Sequence, residues 1–238
     1  KLIVMSATFR QSSDFTPELS AQDRENRLLA RGPRFRLPAE FLRDQALAVG
    51  GLLIEQIGGP SVKPYQPPGL WEAVSYNGEA VYRPDEGTSR HRRGLYTFWK
   101  RQSPPPDILT FDGPTRETCS VRRQRTNTPL QALLMMNDAN YLEAASGLGR
   151  RMMQSKADGL RYGFRLATGR EPKAAEVAEL RKYHDEQREA FRAKPDSALA
   201  LVKSAAPSVA QGLDACELAA WTMTASLLLN LDETQTQH

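Results

Sequence analysis

Apolar residues recur with helical spacing toward both ends of the chain, whereas the middle has no regular pattern. A helix is predicted to open near Pro38, where the missing N–H of proline costs nothing in a first turn. Its apolar stripe consists of Leu42, Ala46, Val49 and Leu53. Gly58 and Gly59 are expected to end this region. A shorter helix is predicted over residues 25–31, where Gly32-Pro33 stops it.

Cap residues divide the last part of the chain into further helices. Thr128 before Pro129 has the form of an N-cap followed by proline at the first helical position. Four more boundaries are predicted at Asp138, at Gly169, at Pro172 (a charged helix to about Phe191) and at Asp214, which forms a capping-box-like start with Glu217. The pattern therefore predicts helices to the end of the chain.

Proline interrupts the middle of the chain. Nine of the sixteen prolines lie within residues 58–127, so long regular elements are excluded there. Alternation of bulky and polar residues predicts a strand over 95–101, paired in a hairpin with residues 80–83. The resulting prediction is a mainly α fold in which residues 1–57 and 128–238 are helical. Residues 58–127 form a Pro/Gly-rich irregular insertion with a short β-hairpin, and the whole is one domain.

Composition excludes several broad classes of protein. The chain has 238 residues, of which 40% are hydrophobic and 25% charged, and these values are typical of soluble globular proteins. It holds no apolar run near the roughly 20 residues that span a bilayer. Residues 1–10 lack the basic segment and cleavage site of a signal peptide and have the pattern of a helix end. We therefore expect an N-terminally truncated domain from a longer protein.

Positive charge is concentrated in one stretch. The net charge is +4, yet nine basic and only three acidic residues lie between Arg90 and Arg125. Arginine outnumbers lysine by 24 to 8, and its planar fork suits bidentate contacts to carboxylate, phosphate or sulfate. The stretch predicts an anion or polyanion site. In the alternative interpretation, these arginines hold irregular loops together by bonding carbonyls and acids.

The densest polar segment lies at the end of this stretch, over residues 110–131. It leads into the predicted helix N-terminus at Thr128, whose unpaired N–H groups and positive dipole end favour an anion. The candidate ligand-binding residues are Arg116, Arg122, Arg123, Arg125, Asn127 and Thr128. Asp112 and Glu117 are weaker candidates for a catalytic acid and base, provided that they converge on a pocket. A structural arginine–carboxylate network is the alternative.

Histidine and cysteine are scarce, and neither forms a metal-binding or haem-binding motif. His91 lies among arginines, His184 is expected on a solvated helix face, and His238 is the last residue, so no metal site is predicted. Cys119 and Cys216 belong to no CxxCH motif, and they either form a disulfide or remain thiols. Aromatic residues near Trp99 alternate with basic ones, but core packing explains them more simply than nucleic-acid binding.

Several sequence blocks together resemble one family. The blocks are residues 6–13, 26–37, 59–71, 126–133, 217–223 and 229–233. They are similar to the C-terminal domain of unknown function in planctomycete-type cytochrome c-associated proteins. The resemblance implies a parent protein that is exported to the periplasm or cell surface and carries haem c in a separate cytochrome c-like domain. It also implies that the two cysteines meet an oxidising compartment, and it supplies no catalytic residues.

Three functions remain open from the sequence. The first is an extracytoplasmic module of a cytochrome c-linked multidomain protein, which binds an anionic ligand or a partner domain of the same polypeptide. The second is a catalytic domain that acts on an anionic polysaccharide through Asp112 or Glu117. The third is a structural or assembly domain without a ligand. No cofactor is expected in this segment, and neither nucleic acid nor a membrane is an expected partner.

Overall fold

The computed structural model describes residues 1–205 and 212–237, and this part of the chain is mainly α, as predicted. Its α-helices are α1 (Leu2–Met5), α2 (Pro17–Gln22), α3 (Ala39–Gly50), α4 (Pro106–Thr110), α5 (Pro129–Asn137), α6 (Ala139–Met153), α7 (Gly159–Thr168), α8 (Ala174–Ala193), α9 (Pro195–Ala205), α10 (Ala215–Leu229) and α11 (Asp232–Gln235). Strands β1 (Phe35–Arg36) and β2 (Thr236–Gln237) form a short antiparallel sheet.

Helices α6 and α10 form the centre of the core. They pack against each other, with α3 against α6, and with α8 and α9 against α10. Leu148 of α6 and Leu228 of α10 have no exposed surface, so each contributes about 1.5–3 kcal/mol of burial free energy. A Cβ atom at Gly50 would lie 2.6 Å from the carbonyl oxygen of Ala144, which explains why glycine stands where α3 crosses α6.

The predicted caps after residue 128 are confirmed. The Thr128 hydroxyl accepts a bond from the Gln131 N–H at 3.4 Å, while the Gln131 side chain accepts one from the Thr128 N–H at 3.1 Å. The Asp138 carboxylate accepts a bond from the Asn140 N–H, and the Asp214 carboxylate accepts bonds from the Cys216 and Glu217 N–H groups. Glu217 pairs with Arg192 at 2.8 Å and does not complete the predicted capping box. Gly169 ends α7 with a φ of 78°. The side chains of Thr128, Asp138 and Asp214 satisfy N–H groups that a helix start otherwise leaves unpaired.

Two helix predictions in the first part are wrong in their bounds. Helix α3 ends at Gly50 rather than near Gly58, because Gly51 adopts a left-handed conformation with φ 72° and terminates it. Residues 25–31 form turns instead of a helix. The Asp23 carboxylate accepts bonds from the N–H groups of Arg27 and Leu28, and this local pairing competes with helical bonding.

The predicted hairpin is also wrong. Residues 80–83 carry no strand, and the second segment begins with a 3₁₀ turn at Gly94–Tyr96. Thr97 forms only an isolated parallel bridge with Val62. One aromatic residue of each segment, Tyr82 and Phe98, packs its ring on Trp71 instead, at 5.1 and 5.8 Å between centroids. Aromatic packing therefore connects the two segments without strand pairing.

Buried arginines fasten the insertion to the helices. Arg92, which is 3% exposed, donates to the carbonyl oxygens of Gln56 and Pro60 at 3.0 and 2.8 Å. Arg43 of α3 donates to the carbonyl oxygen of Arg92 at 2.7 Å. For these residues the structural interpretation of the arginine-rich stretch holds. None of the helices in the described part of the chain is long and apolar enough to cross a membrane.

Candidate anion-binding site

The candidate site is built around a buried pair of residues that lie far apart in the sequence. Arg36 of β1 is 7% exposed, and its guanidinium pairs with the Asp112 carboxylate. It also donates to the carbonyl oxygens of Thr126 at 2.8 Å and of Phe111 at 3.2 Å. Asp112 accepts further bonds from the Thr126 N–H at 2.7 Å and the Thr126 hydroxyl at 2.9 Å. The pair therefore connects Asp112 to Thr126, the two ends of the segment that contains Arg116, Arg122, Arg123 and Arg125.

The environment of Asp112 keeps it ionised. Burial opposes the negative charge, but the hydrogen bonds from Thr126 and the charge of Arg36 outweigh it and lower the pKa of Asp112. Its oxygens are occupied by these partners, and such a carboxylate suits an anchor better than a general acid. Glu117 is exposed, and within the described residues its side chain forms no ion pair. The catalytic role of either residue stays a prediction.

Gln131 connects this anchor to α5. Its side-chain amide is 2% exposed and donates to the Thr110 carbonyl oxygen at 2.9 Å and to the Thr126 hydroxyl at 3.0 Å. Because Gln131 and Thr128 bond each other, the start of α5 is already capped from within. The N-terminus of α5 therefore fixes the position of the preceding segment, and the guanidinium groups of that segment are the donors for an anion. Thr-x-x-Gln spacing is the sequence signal that points to Gln131.

The predicted arginines differ in their surroundings. Arg123 pairs with Glu40 at 2.8 Å. Arg125 lies over the ring of Phe35 at 4.2 Å, and Arg116 lies over the ring of Trp99 at 4.3 Å. Arg122 and Arg125 are exposed, and no carboxylate in residues 1–205 or 212–237 forms an ion pair with either of them. These two guanidinium groups are available to an anionic ligand.

Arg122, Arg123 and Arg125 line a cleft of about 240 Å³ together with the Arg36–Asp112 pair. Four guanidinium groups and one carboxylate line it, so its walls are positively charged. We call this the arginine cleft. Arg116 lies beyond Arg123, in a neighbouring cleft of about 340 Å³. Asn127 and Thr128 line neither cleft, since Asn127 is exposed elsewhere and Thr128 caps α5.

Histidines lie in two other environments. His91 is buried 3.1 Å from Glu143, which Arg90 also contacts at 2.6 Å. Burial and these two neighbours act in opposite directions on Glu143, and its pKa is lowered. His184 is 6% exposed, with its Nδ1 3.3 Å from the Thr224 hydroxyl, so the prediction of a solvated face is wrong. Burial lowers the pKa of His184.

The described part of the chain contains two free thiols and no metal-ligating cluster. Within residues 1–205 and 212–237, no three His, Cys, Asp or Glu side chains are arranged to hold a metal ion. His238 lies outside the described residues. Cys119 is exposed and Cys216 half-buried, and both are free thiols in this structure. The Cys216 thiol donates to the carbonyl oxygen of Phe191 at 3.4 Å.

Comparison with protein-family models gives a match over most of the chain. The model of the PSD1 family, described as a protein of unknown function (DUF1553), matches residues 1–184. This range includes the arginine cleft and all of the predicted site residues. Neither a curated protein nor a solved structure matches the chain.

Proposed function

The chain belongs to the PSD1 family of proteins of unknown function (DUF1553), and from this premise we propose that it is an anion-binding module of a multidomain protein. The observation that carries the proposal is the pair of exposed guanidinium groups at Arg122 and Arg125. They line one cleft, and no carboxylate in the described part of the chain neutralises them. Outside the cleft, the guanidinium groups of Arg43 and Arg92 donate to backbone carbonyl oxygens of the protein.

The chemistry of the cleft favours an anion with several oxygens. A guanidinium donates two parallel hydrogen bonds to carboxylate, sulfate or phosphate, and this fork is specific for planar or tetrahedral oxyanions. Arg36 is fixed by Asp112, and Arg123 by Glu40, so two of the four cations are held in place before a ligand arrives. Preorganised contacts lose less conformational entropy on binding. The ligand class that fits is an acidic glycan or an acidic surface of a partner domain.

The setting of the module follows from the family resemblance of its sequence blocks. We propose that the chain is part of a planctomycete-type, cytochrome c-linked protein that functions in the periplasm or at the cell surface. In this setting haem c belongs to another domain of the same polypeptide, and the present domain captures a ligand or docks that domain. Heterologous production of the full-length parent, followed by haem staining and fractionation of the periplasm, tests this setting separately from ligand binding.

Calorimetric titration with a sulfated and a uronate tetrasaccharide tests the anion site. We expect the double variant Arg122→Ala/Arg125→Ala to bind about tenfold more weakly, because it loses two charge-assisted contacts at an exposed site. Arg165→Ala is the matched control, since Arg165 of α7 is also exposed but pairs with Glu171. A neutral tetrasaccharide should not bind.

Each alternative function has its own outcome in this experiment. Equal affinity of the double variant and the wild type would refute the site. Absence of binding by either acidic glycan, and by the isolated partner domain, would favour the structural or assembly domain. Release of new reducing ends from the glycan, abolished by Glu117→Gln, would favour a catalytic domain that acts on anionic polysaccharide.

A further inference from the structure

A second and larger cleft is lined mainly by residues of the helices after residue 158. It measures about 720 Å³ and runs between α7, α8, the end of α10 and α11. We call it the α8 cleft. None of its lining residues lines the arginine cleft. Its volume lies within the range of about 300–1,000 Å³ that small-molecule sites occupy.

The floor of the α8 cleft is apolar. It consists of Phe164, Leu180, Tyr183, Leu227 and Leu231. Phe164 and Leu180 are buried, while Tyr183, Leu227 and Leu231 keep part of their surface exposed in the cleft. An apolar ligand body that covers these side chains removes their surface from water, which is favourable by about 25 cal/mol per Å².

The rim of the α8 cleft carries more negative than positive charge. Arg170 is shared by Glu176 at 2.6 Å and Glu233 at 2.8 Å, and Arg34 pairs with Asp232. The hydrogen bonds from Arg170 are the largest cause that lowers the pKa of Glu176, to about 2. Without Glu179, the rim therefore contains two arginines and three carboxylates.

Glu179 adds a further negative charge to this rim. It is exposed, lines the cleft, and forms no ion pair within the described residues. Lys173, whose charge lies near Glu176, does not line the cleft. The rim therefore has a net charge of −2, with Glu179 as its free carboxylate.

We propose that the α8 cleft binds a small amphipathic cation, with an apolar body on the leucine and aromatic floor and an ammonium group at Glu179. The apolar floor selects the body, and the negative rim selects the sign of the head group. This site is independent of the proposed anion-binding function, because it uses other residues and takes ligands of the opposite charge.

Three probes of related shape separate the two contributions. Calorimetric titration with 4-phenylbutylamine, 4-phenylbutyrate and butylamine varies the charge and the apolar body in turn. We expect 4-phenylbutylamine to bind with a dissociation constant of about 1 mM, as its size allows. The carboxylate probe should bind more weakly by at least about fivefold, and butylamine should not bind at 10 mM, roughly ten times that constant.

Two pairs of variants then place the site. Glu179→Gln should weaken 4-phenylbutylamine by about two- to fivefold, as expected for an exposed ion pair, whereas Glu189→Gln, an exposed glutamate of α8 outside the cleft, should not. Ala175→Phe places a ring in the cleft beside Glu176 and Glu179 and should weaken binding, whereas Ala178→Phe lies outside the lining and should not. Equal binding of both charged probes, absence of binding, or insensitivity to Ala175→Phe would overturn the proposal.

Discussion

Substitution of Asp112 by alanine removes the charged partner of Arg36 but leaves the arginine in place. The side chain of Arg36 is 6% exposed, so its guanidinium cannot recover the lost contact from bulk water. Removal of one partner of a buried ion pair costs about 3–5 kcal/mol, and an exposed pair only about 0.2–1 kcal/mol. Asp112 keeps 16% exposure, so about 3 kcal/mol is expected for the lost pair.

The backbone at Asp112 adds to this loss. Its φ is 61°, a left-handed conformation that asparagine and aspartate tolerate better than alanine, by roughly 1 kcal/mol. We therefore expect Asp112→Ala to lower the free energy of unfolding by about 4 kcal/mol. Asp112→Asn should cost about half as much, because it keeps an acceptor for Thr126 and the same backbone preference.

Urea unfolding followed by circular dichroism at 222 nm measures these losses. Glu171→Ala is the matched control, since it breaks the exposed pair with Arg165, whose side chains are 62% and 63% exposed, and should cost at most about 1 kcal/mol. The pKa of Asp112 is lowered on folding, so its stabilisation is present above about pH 4 and is lost as the pH falls through the lower folded value. If Asp112→Ala lowers the free energy of unfolding by less than about 1 kcal/mol, the Arg36–Asp112 pair does not anchor this part of the fold.

Further substitutions test the buried carboxylate, the helix crossing and the thiols. Burial is the largest cause that raises the pKa of Asp107, to about 6, so the contribution of Asp107 to stability should fall as the pH rises from about 4 to about 7, and Asp107→Asn should be more stable than the wild type at pH 7 by up to about 3 kcal/mol but equal to it at pH 4. A variant that is less stable at pH 7 in the same urea assay would contradict this. Gly50→Ala should cost about 1–3 kcal/mol in urea, because its Cβ would meet the Ala144 carbonyl oxygen; an unchanged midpoint would contradict the close crossing. With a thiol reagent such as DTNB, Cys119 should react in the folded protein and Cys216 only on unfolding, and equal rates would contradict their difference in exposure.

Local signals predicted the helices after residue 128, whereas long-range packing decided the middle of the chain. Caps at Thr128 and Asp138 act within three residues, so they are visible in the sequence. The wrongly predicted hairpin depends instead on contacts between residues that are far apart in the sequence. Tyr82 and Phe98 of the two segments meet on Trp71, and the sequence does not distinguish such ring packing from strand pairing.

The candidate site shows the same division. The arginine-rich segment was visible as charge, but the sequence did not reveal which arginines are free. Arg36, which organises the cleft, lies 76 residues from Asp112 in the chain, and Arg123 is tied to Glu40 across 83 residues. The α8 cleft was missed altogether, because its apolar floor comes from several separate helices that each show only an ordinary helical pattern.

A crystal structure of the chain with a bound sulfated tetrasaccharide tests the anion site most directly. We expect a sulfate group in the arginine cleft, with its oxygens within about 2.7–3.2 Å of the guanidinium nitrogens of Arg122 and Arg125. Arg36 and Asp112 should remain paired behind it. A glycan bound elsewhere on the surface, with Arg122 and Arg125 untouched, would contradict the proposed function.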